Sequence, residues 1–204
     1  MKVVVLPGVY AYEEKPVYDK FLNKICSALK CDGEVFIWEV GSQHPETDLP
    51  YKTLRDLACG VILDFQQAIK YALDTEVPEA DIYLGHSAGG ILSLAQKDKP
   101  CCIFGCPAAL VEMLNAIEKE NCRNFSRLEL LNRIESNSRP VLNIVNKYDI
   151  LAYPIDQPNV ENYIYGCSGI NPFSYFPVTA HSDYWSNKRI SDKIIETIKK
   201  WNIQ

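Results

Sequence analysis

The segment Gly85-His86-Ser87-Ala88-Gly89-Gly90 follows the apolar run Ile82 to Leu84 and precedes the helical pattern of Ile91 to Gln96, so a G-x-S-x-G falls at a strand-to-helix turn. Such a turn holds the serine in a strained backbone conformation that only small neighbours permit, and presents its hydroxyl at the carboxyl end of a sheet. The chemistry that suits it is nucleophilic attack on an acyl carbonyl. Gly85 and Gly89 remove clashes around Ser87, while Ala88 and Gly90 let the helix approach the sheet. The amides of that helix start have no acceptors of their own and face the place where an oxyanion would develop, with Ala88 as the expected first donor.

A serine hydroxyl needs a base within hydrogen-bond reach, and the chain holds only His44, His86 and His181. His86 adjoins the nucleophile and should point away from it, into packing. His44 lies in the polar loop Ser42 to Asp48. His181, in Val178-Thr-Ala-His181-Ser-Asp-Tyr-Trp185, is the expected base, just beyond a strand expected at Tyr175 to Val178. The carboxylate that orients it should end an intervening strand, and Asp149 fits best because it follows Val141 to Val145. Asp156 and Asp183 are its competitors. Asp183 is awkwardly close to His181 in sequence, and Asp156 lies further down a proline-bearing loop.

These residues need a frame that brings several strand ends together. Val3 to Leu6, Val35 to Val40, Ile82 to Leu84, Cys101 to Phe104 and Val141 to Val145 are short, continuously apolar runs, as strands covered on both faces require. Tyr175 to Val178 is a sixth, confined to an edge or a sheet end by Pro177. Between them Val17, Phe21, Ile25 and Leu29 step by four, Leu54 to Leu73 trace one helical face, and Asp192 to Trp201 form a C-terminal helix with Asp192 in its first turn. The alternation predicts an α/β fold: a three-layer sandwich with a central, mostly parallel sheet of about six strands. At 204 residues one domain spanning 1–204 is expected. Residues 108–136 carry two more helical patterns, either a crossover or a small lid.

The order Ser87, Asp149, His181, with each residue at a strand end, resembles the α/β-hydrolase superfamily over nearly the whole chain, and Gly85 to Gly90 looks like the elbow of lipases and esterases. The stretches Asn146 to Pro154 and His181 to Trp185 are also similar to class 3 lipases, where aromatics follow the catalytic histidine. The resemblance implies a minimal, cap-poor member lacking the first two strands of the usual sheet. It also implies a second oxyanion donor from the loop Leu6-Pro-Gly-Val-Tyr10, either the amide of Val9 or that of Tyr10. Where the family has His-Gly in this loop, the chain has Pro7-Gly8.

The expected reaction is hydrolysis of a carboxylic ester through an acyl-enzyme, without cofactor or metal. Thioester cleavage or acyl transfer by the same residues is the alternative, and a non-catalytic interaction protein on the same scaffold is a third. Tyr10, Tyr12, Tyr153, Phe173 and Tyr184 fall on loops around the site and suggest a small-molecule ester with an apolar portion, with Tyr10, Tyr153 and Tyr184 as its contacts. The 21 basic against 26 acidic residues, the net charge of −5 and the lack of a basic cluster argue against nucleic acid and anionic membrane surfaces as partners. No apolar run reaches the roughly 18 residues of a membrane span, and the run after Met1 is too short for a signal peptide. The eight cysteines include adjacent Cys101 and Cys102 and no C-x2-C pair, so they read as buried apolar residues of a cytoplasmic protein rather than as disulfides or a zinc site. Neither G-x-G-x-x-G nor a P-loop occurs, which sets nucleotide-binding α/β enzymes aside.

Overall fold

The computed structural model describes residues 1–8, 15–37, 76–96, 98–108, 139–166, 180–181 and 183–203. Six strands form one sheet: β1 (Lys2–Leu6), β2 (Asp32–Val35), β3 (Ile82–His86), β4 (Cys101–Phe104), β5 (Val141–Asn146) and β6 (Val160–Tyr165), in the order β2-β1-β3-β4-β5-β6. Every pairing is parallel, so all strand carboxyl ends lie along one edge of the sheet.

The apolar runs explain the layers. Along each inner strand successive side chains enter opposite faces. Val4, Leu6, Tyr83, Cys101, Ile103 and Val141 belong to one buried cluster, and Val3, Val5, Ile82, Leu84, Phe104 and Leu142 to the other. Helix α2 (Ala88–Ala95) covers the first face with Ile91, Leu92 and Leu94. Helices α1 (Lys15–Leu29) and α3 (Lys188–Trp201) cover the second, through Tyr18, Phe21, Leu22 and Ile25 and through Ile190, Ile194 and Ile198. Each such aliphatic side chain contributes roughly 1.5–3 kcal/mol on burial.

Several expectations change in detail. The second strand is Asp32–Val35 rather than Val35 to Val40. In the described sheet it stands at an edge beside β1, where no apolar face is needed, and its polar Asp32-Gly33-Glu34 concealed it. Phe36 prolongs the pairing by one bond, its N–H donating to Val5 at 3.0 Å, while Ile37 packs on the α1 side. Among the described residues the sheet ends on the other side at Val160–Tyr165, a strand not among those expected, in which only Tyr165 is buried. The strand expected at Tyr175 to Val178 lies outside the described residues, as do the helices expected at Leu54 to Leu73 and within 109–136. Finally, α3 starts a turn before Asp192, because the Asn187 side chain caps it by accepting from the Arg189 N–H. In α1, Val17 is 45% exposed and Tyr18 takes the buried place expected of it.

Among the described residues no helix is long and apolar enough to cross a membrane. Cys101, Cys102 and Cys106 are buried and carry free thiols that burial pushes up, to about 11 for Cys101 and about 12 for Cys106. They act as small core side chains rather than as nucleophiles.

Candidate active site

In the strand order β2-β1-β3, successive connections leave β1 toward opposite edges, which opens a crevice at the carboxyl ends of β1 and β3. Ser87 follows β3 directly, at this carboxyl end of the sheet. Its φ of 54° and ψ of −126° are costly for a residue with a side chain, about 1–3 kcal/mol. Two backbone bonds hold it there: its N–H donates to Phe104 at 3.1 Å and its carbonyl accepts from Gly90 at 2.9 Å. The helix also presses close. A Cβ on Gly89 would collide with the carbonyls of Leu6 and Pro7, and one on Gly90 would lie 2.7 Å from Cys106. Ser87 stands at the N-cap of α2 without capping it, so its hydroxyl is free for another partner.

That partner is His181. Its Nε2 lies 3.0 Å from Ser87 Oγ, and its Nδ1 lies 2.9 Å from Asp149 Oδ2. Asp149 reaches this position because β5 ends in a tight turn: the Asp149 N–H donates to the Asn146 carbonyl at 2.9 Å and the Tyr148 N–H to Asn146 Oδ1 at 3.2 Å. The other carboxylate oxygen, Oδ1, accepts from the Leu151 N–H at 2.9 Å. Burial pushes the Asp149 carboxyl up, but the hydrogen bond and charge of His181, with the donors Leu151 and Tyr184, outweigh it and hold the group below its ordinary value. Asp149 is therefore the ionised acceptor at neutral pH. Its competitors are elsewhere. Asp183 accepts from Ser186 and Asn187 ahead of α3, and Asp156 is exposed.

His86 turns away from Ser87 into the core, as its place in the chain suggested. Its Nε2 is 2.8 Å from the His181 carbonyl, which can only accept, so this nitrogen carries the proton. Burial, helped by the neighbouring His181, pushes its pKa down to about 3 and keeps the ring neutral. Its ring packs against Phe104, Tyr184 and Trp185 and lies 4.9 Å from the His181 ring. The preceding carbonyl, of Ala180, accepts from Asn146 Nδ2 at 3.3 Å, so the backbone carrying His181 is held at two consecutive residues. Gly105, after β4, has φ +59° and lies under this cluster: a Cβ there would stand 3.0 Å from Tyr184, 3.2 Å from His86 Nε2 and 3.3 Å from His181.

The remaining expected site residues divide. The Ala88 N–H opens α2 beside the serine. The loop after β1 approaches from the other side, for a Cβ on Gly8 would be 3.0 Å from Ser87 Cβ. Val9 and Tyr10, which follow it, lie outside the described residues. Tyr153 is 39% exposed on the loop beyond Asp149, where a ligand could reach it. Tyr184 corrects its expectation. It is fully buried, and its hydroxyl donates to Asp149 Oδ2 at 2.9 Å, which puts it behind the carboxylate instead of against a substrate. Asn146 and Gly105 were not singled out from the sequence. The only signals were an asparagine closing an apolar strand and a glycine just after one.

No protein-family model matches the chain, and no curated protein matches it significantly. The solved structures do: alpha/beta hydrolase domain-containing protein 10 from mouse superposes with a TM-score of 0.50 at 14% identity, over 98% of this chain and 88% of that one. The chain has an α/β-hydrolase fold. A protein provisionally described as a cell surface hydrolase from Lactobacillus plantarum WCFS1 also aligns, with a TM-score of 0.42 at 14% identity over 98% of this chain and 90% of that one. In this α/β-hydrolase fold the hydrogen-bonded series Ser87, His181, Asp149 runs across the carboxyl edge from β3 to the end of β5.

Proposed function

We propose that the protein is a serine hydrolase of the α/β-hydrolase superfamily that cleaves a carboxylic ester through an acyl-enzyme. The observation that carries this reading is His181 bridging Ser87 Oγ and Asp149 Oδ2 at 3.0 and 2.9 Å. An imidazole so placed accepts the Ser87 proton through Nε2 as Oγ attacks the acyl carbonyl, and Asp149 balances the charge that develops on the ring. The oxyanion falls to backbone amides, that of Ala88 first and that of Val9 or Tyr10, which follow Gly8 in the chain, second. His181 then returns the proton to the leaving alcohol, and water, activated by the same imidazole, clears the acyl group. In this reading the exposed Tyr153, on the loop beyond Asp149, contacts an apolar part of the ester. Among the described residues Cys26, Cys31, Cys101, Cys102 and Cys106 carry free thiols, which suits a reducing, cytoplasmic setting.

The test is intact mass after incubation with a fluorophosphonate, which reports an activated serine without assuming a substrate. One adduct per chain on the wild type and none on Ser87→Ala is the expected result. Folded wild-type protein that takes no adduct would overturn the reading.

A further inference from the structure

Tyr184 Oη makes two hydrogen bonds in the buried interior, each of 2.9 Å: one with the Asn146 N–H and one with Asp149 Oδ2. A backbone N–H can only donate, so toward Asn146 the phenol oxygen is the acceptor, and the single phenol proton is committed to Asp149. Oδ2 thereby receives two donors, Tyr184 Oη–H and His181 Nδ1–H, while Oδ1 is held by Leu151. The ring that aims this proton is fixed by its neighbours. It lies edge-on to Tyr165 at 5.8 Å, packs against Phe104 and His86, and rests where Gly105 leaves no room for a side chain.

We propose that Tyr184 is a positioning residue that sets the strength of the Asp149–His181 hydrogen bond, by drawing part of the Oδ2 charge into its own bond and by preventing the carboxylate from rotating. Two donors on one oxygen compete for the same negative charge, so a stronger phenol bond weakens the imidazole bond and its removal strengthens it. Burial, and then the adjacent Asp149 charge, push the phenol well above its ordinary pKa, so it remains a donor whenever Asp149 is ionised. The proposal rests on the serine-hydrolase reading for its meaning in catalysis, but the hydrogen bond it concerns can be measured without turnover.

The experiment labels histidine with nitrogen-15 and follows the Nδ1 shift of His181 through the non-exchanging ring protons, at neutral pH, with His181→Gln to assign the signal among the three histidines. Tyr184→Phe, which keeps the ring and removes the proton, should move the Nδ1 signal downfield as its hydrogen bond strengthens. Site-specific 3-fluorotyrosine at position 184, a stronger donor of nearly the same shape, should move it upfield, and it serves even where the phenylalanine variant does not fold. Opposite shifts support the proposal. A fluorotyrosine protein with the wild-type shift, or an upfield move in Tyr184→Phe, would overturn it and leave Tyr184 with a packing role. Fluorophosphonate labelling of Ser87 on the same samples reports separately on the hydrolase reading, so the two can fail independently.

Discussion

Acidification from about pH 7.5 to about pH 5 should destabilise the fold through His86, and His86→Gln should remove that sensitivity. His86 is 7% exposed, packed among aromatic rings, and in the folded protein has a pKa near 3 because a charged imidazole would lose its hydration there. In the unfolded chain it takes up a proton near 6.5. A folded value depressed below the unfolded one contributes stability that is complete above 6.5 and is lost progressively as the pH falls toward 3. At pH 5, about 1.5 units below the unfolded value, the loss at 1.36 kcal/mol per unit is about 2 kcal/mol. For a chain of this size that corresponds to roughly 4–8 °C in Tm. Asp149 and Glu161 are also held below their ordinary values of 3.8 and 4.5, and their contributions fade only at lower pH. The assay is urea unfolding of the wild type and His86→Gln at the two pH values. Glutamine offers an amide N–H to the His181 carbonyl and does not titrate, and the remaining histidines are common to both proteins and cancel in the difference. The wild type should lose about 2 kcal/mol more than the variant. Equal losses would mean that His86 takes its proton inside the folded state at its ordinary pH, and that burial does not hold it neutral.

Asp149→Asn should lower turnover by on the order of 10⁴-fold with the fold retained, since the amide favours the wrong imidazole tautomer; an unaffected Asp149→Asn beside an inactive Asp156→Asn or Asp183→Asn would show that the acid is misassigned. His181→Ala should abolish fluorophosphonate labelling as completely as Ser87→Ala, checked by intact mass and by circular dichroism for folding. Gly105→Ala should cost about 1–2 kcal/mol from its positive φ alone, read in the urea midpoint, and should slow Ser87 labelling as well because the new Cβ presses on His86, His181 and Tyr184. Product analysis with competing alcohols should give free acid rather than transesterified product; a dominant new ester would identify an acyltransferase on the same residues.

The inner strands were legible because a strand buried on both faces has to be apolar along its whole length, and Val3 to Leu6, Ile82 to Leu84, Cys101 to Phe104 and Val141 to Val145 satisfy that condition. The edge strands were not. In the described sheet Asp32–Val35 and Val160–Tyr165 stand at the two ends, where polar residues are tolerated, so Asp32-Gly33-Glu34 and Glu161-Asn162 break the continuous apolar run that marks an inner strand.

What the order of residues displays is the serine's turn and the three residues that meet beside it, because those depend on local chemistry: small residues around a strained serine, one eligible histidine outside polar or adjacent positions, and an aspartate closing an apolar strand. Tertiary structure alone decided what stands behind them. Tyr184 reads from the sequence as one of several aromatics near the site, and its task appears only when the end of β5 brings the Asn146 N–H and Asp149 Oδ2 to the same phenol. His86 is likewise a bystander until the fold buries it and sets its proton on the His181 carbonyl. Directional hydrogen bonds between residues 35 or 95 positions apart leave no periodicity for a sequence to display, so only the folded chain reveals them.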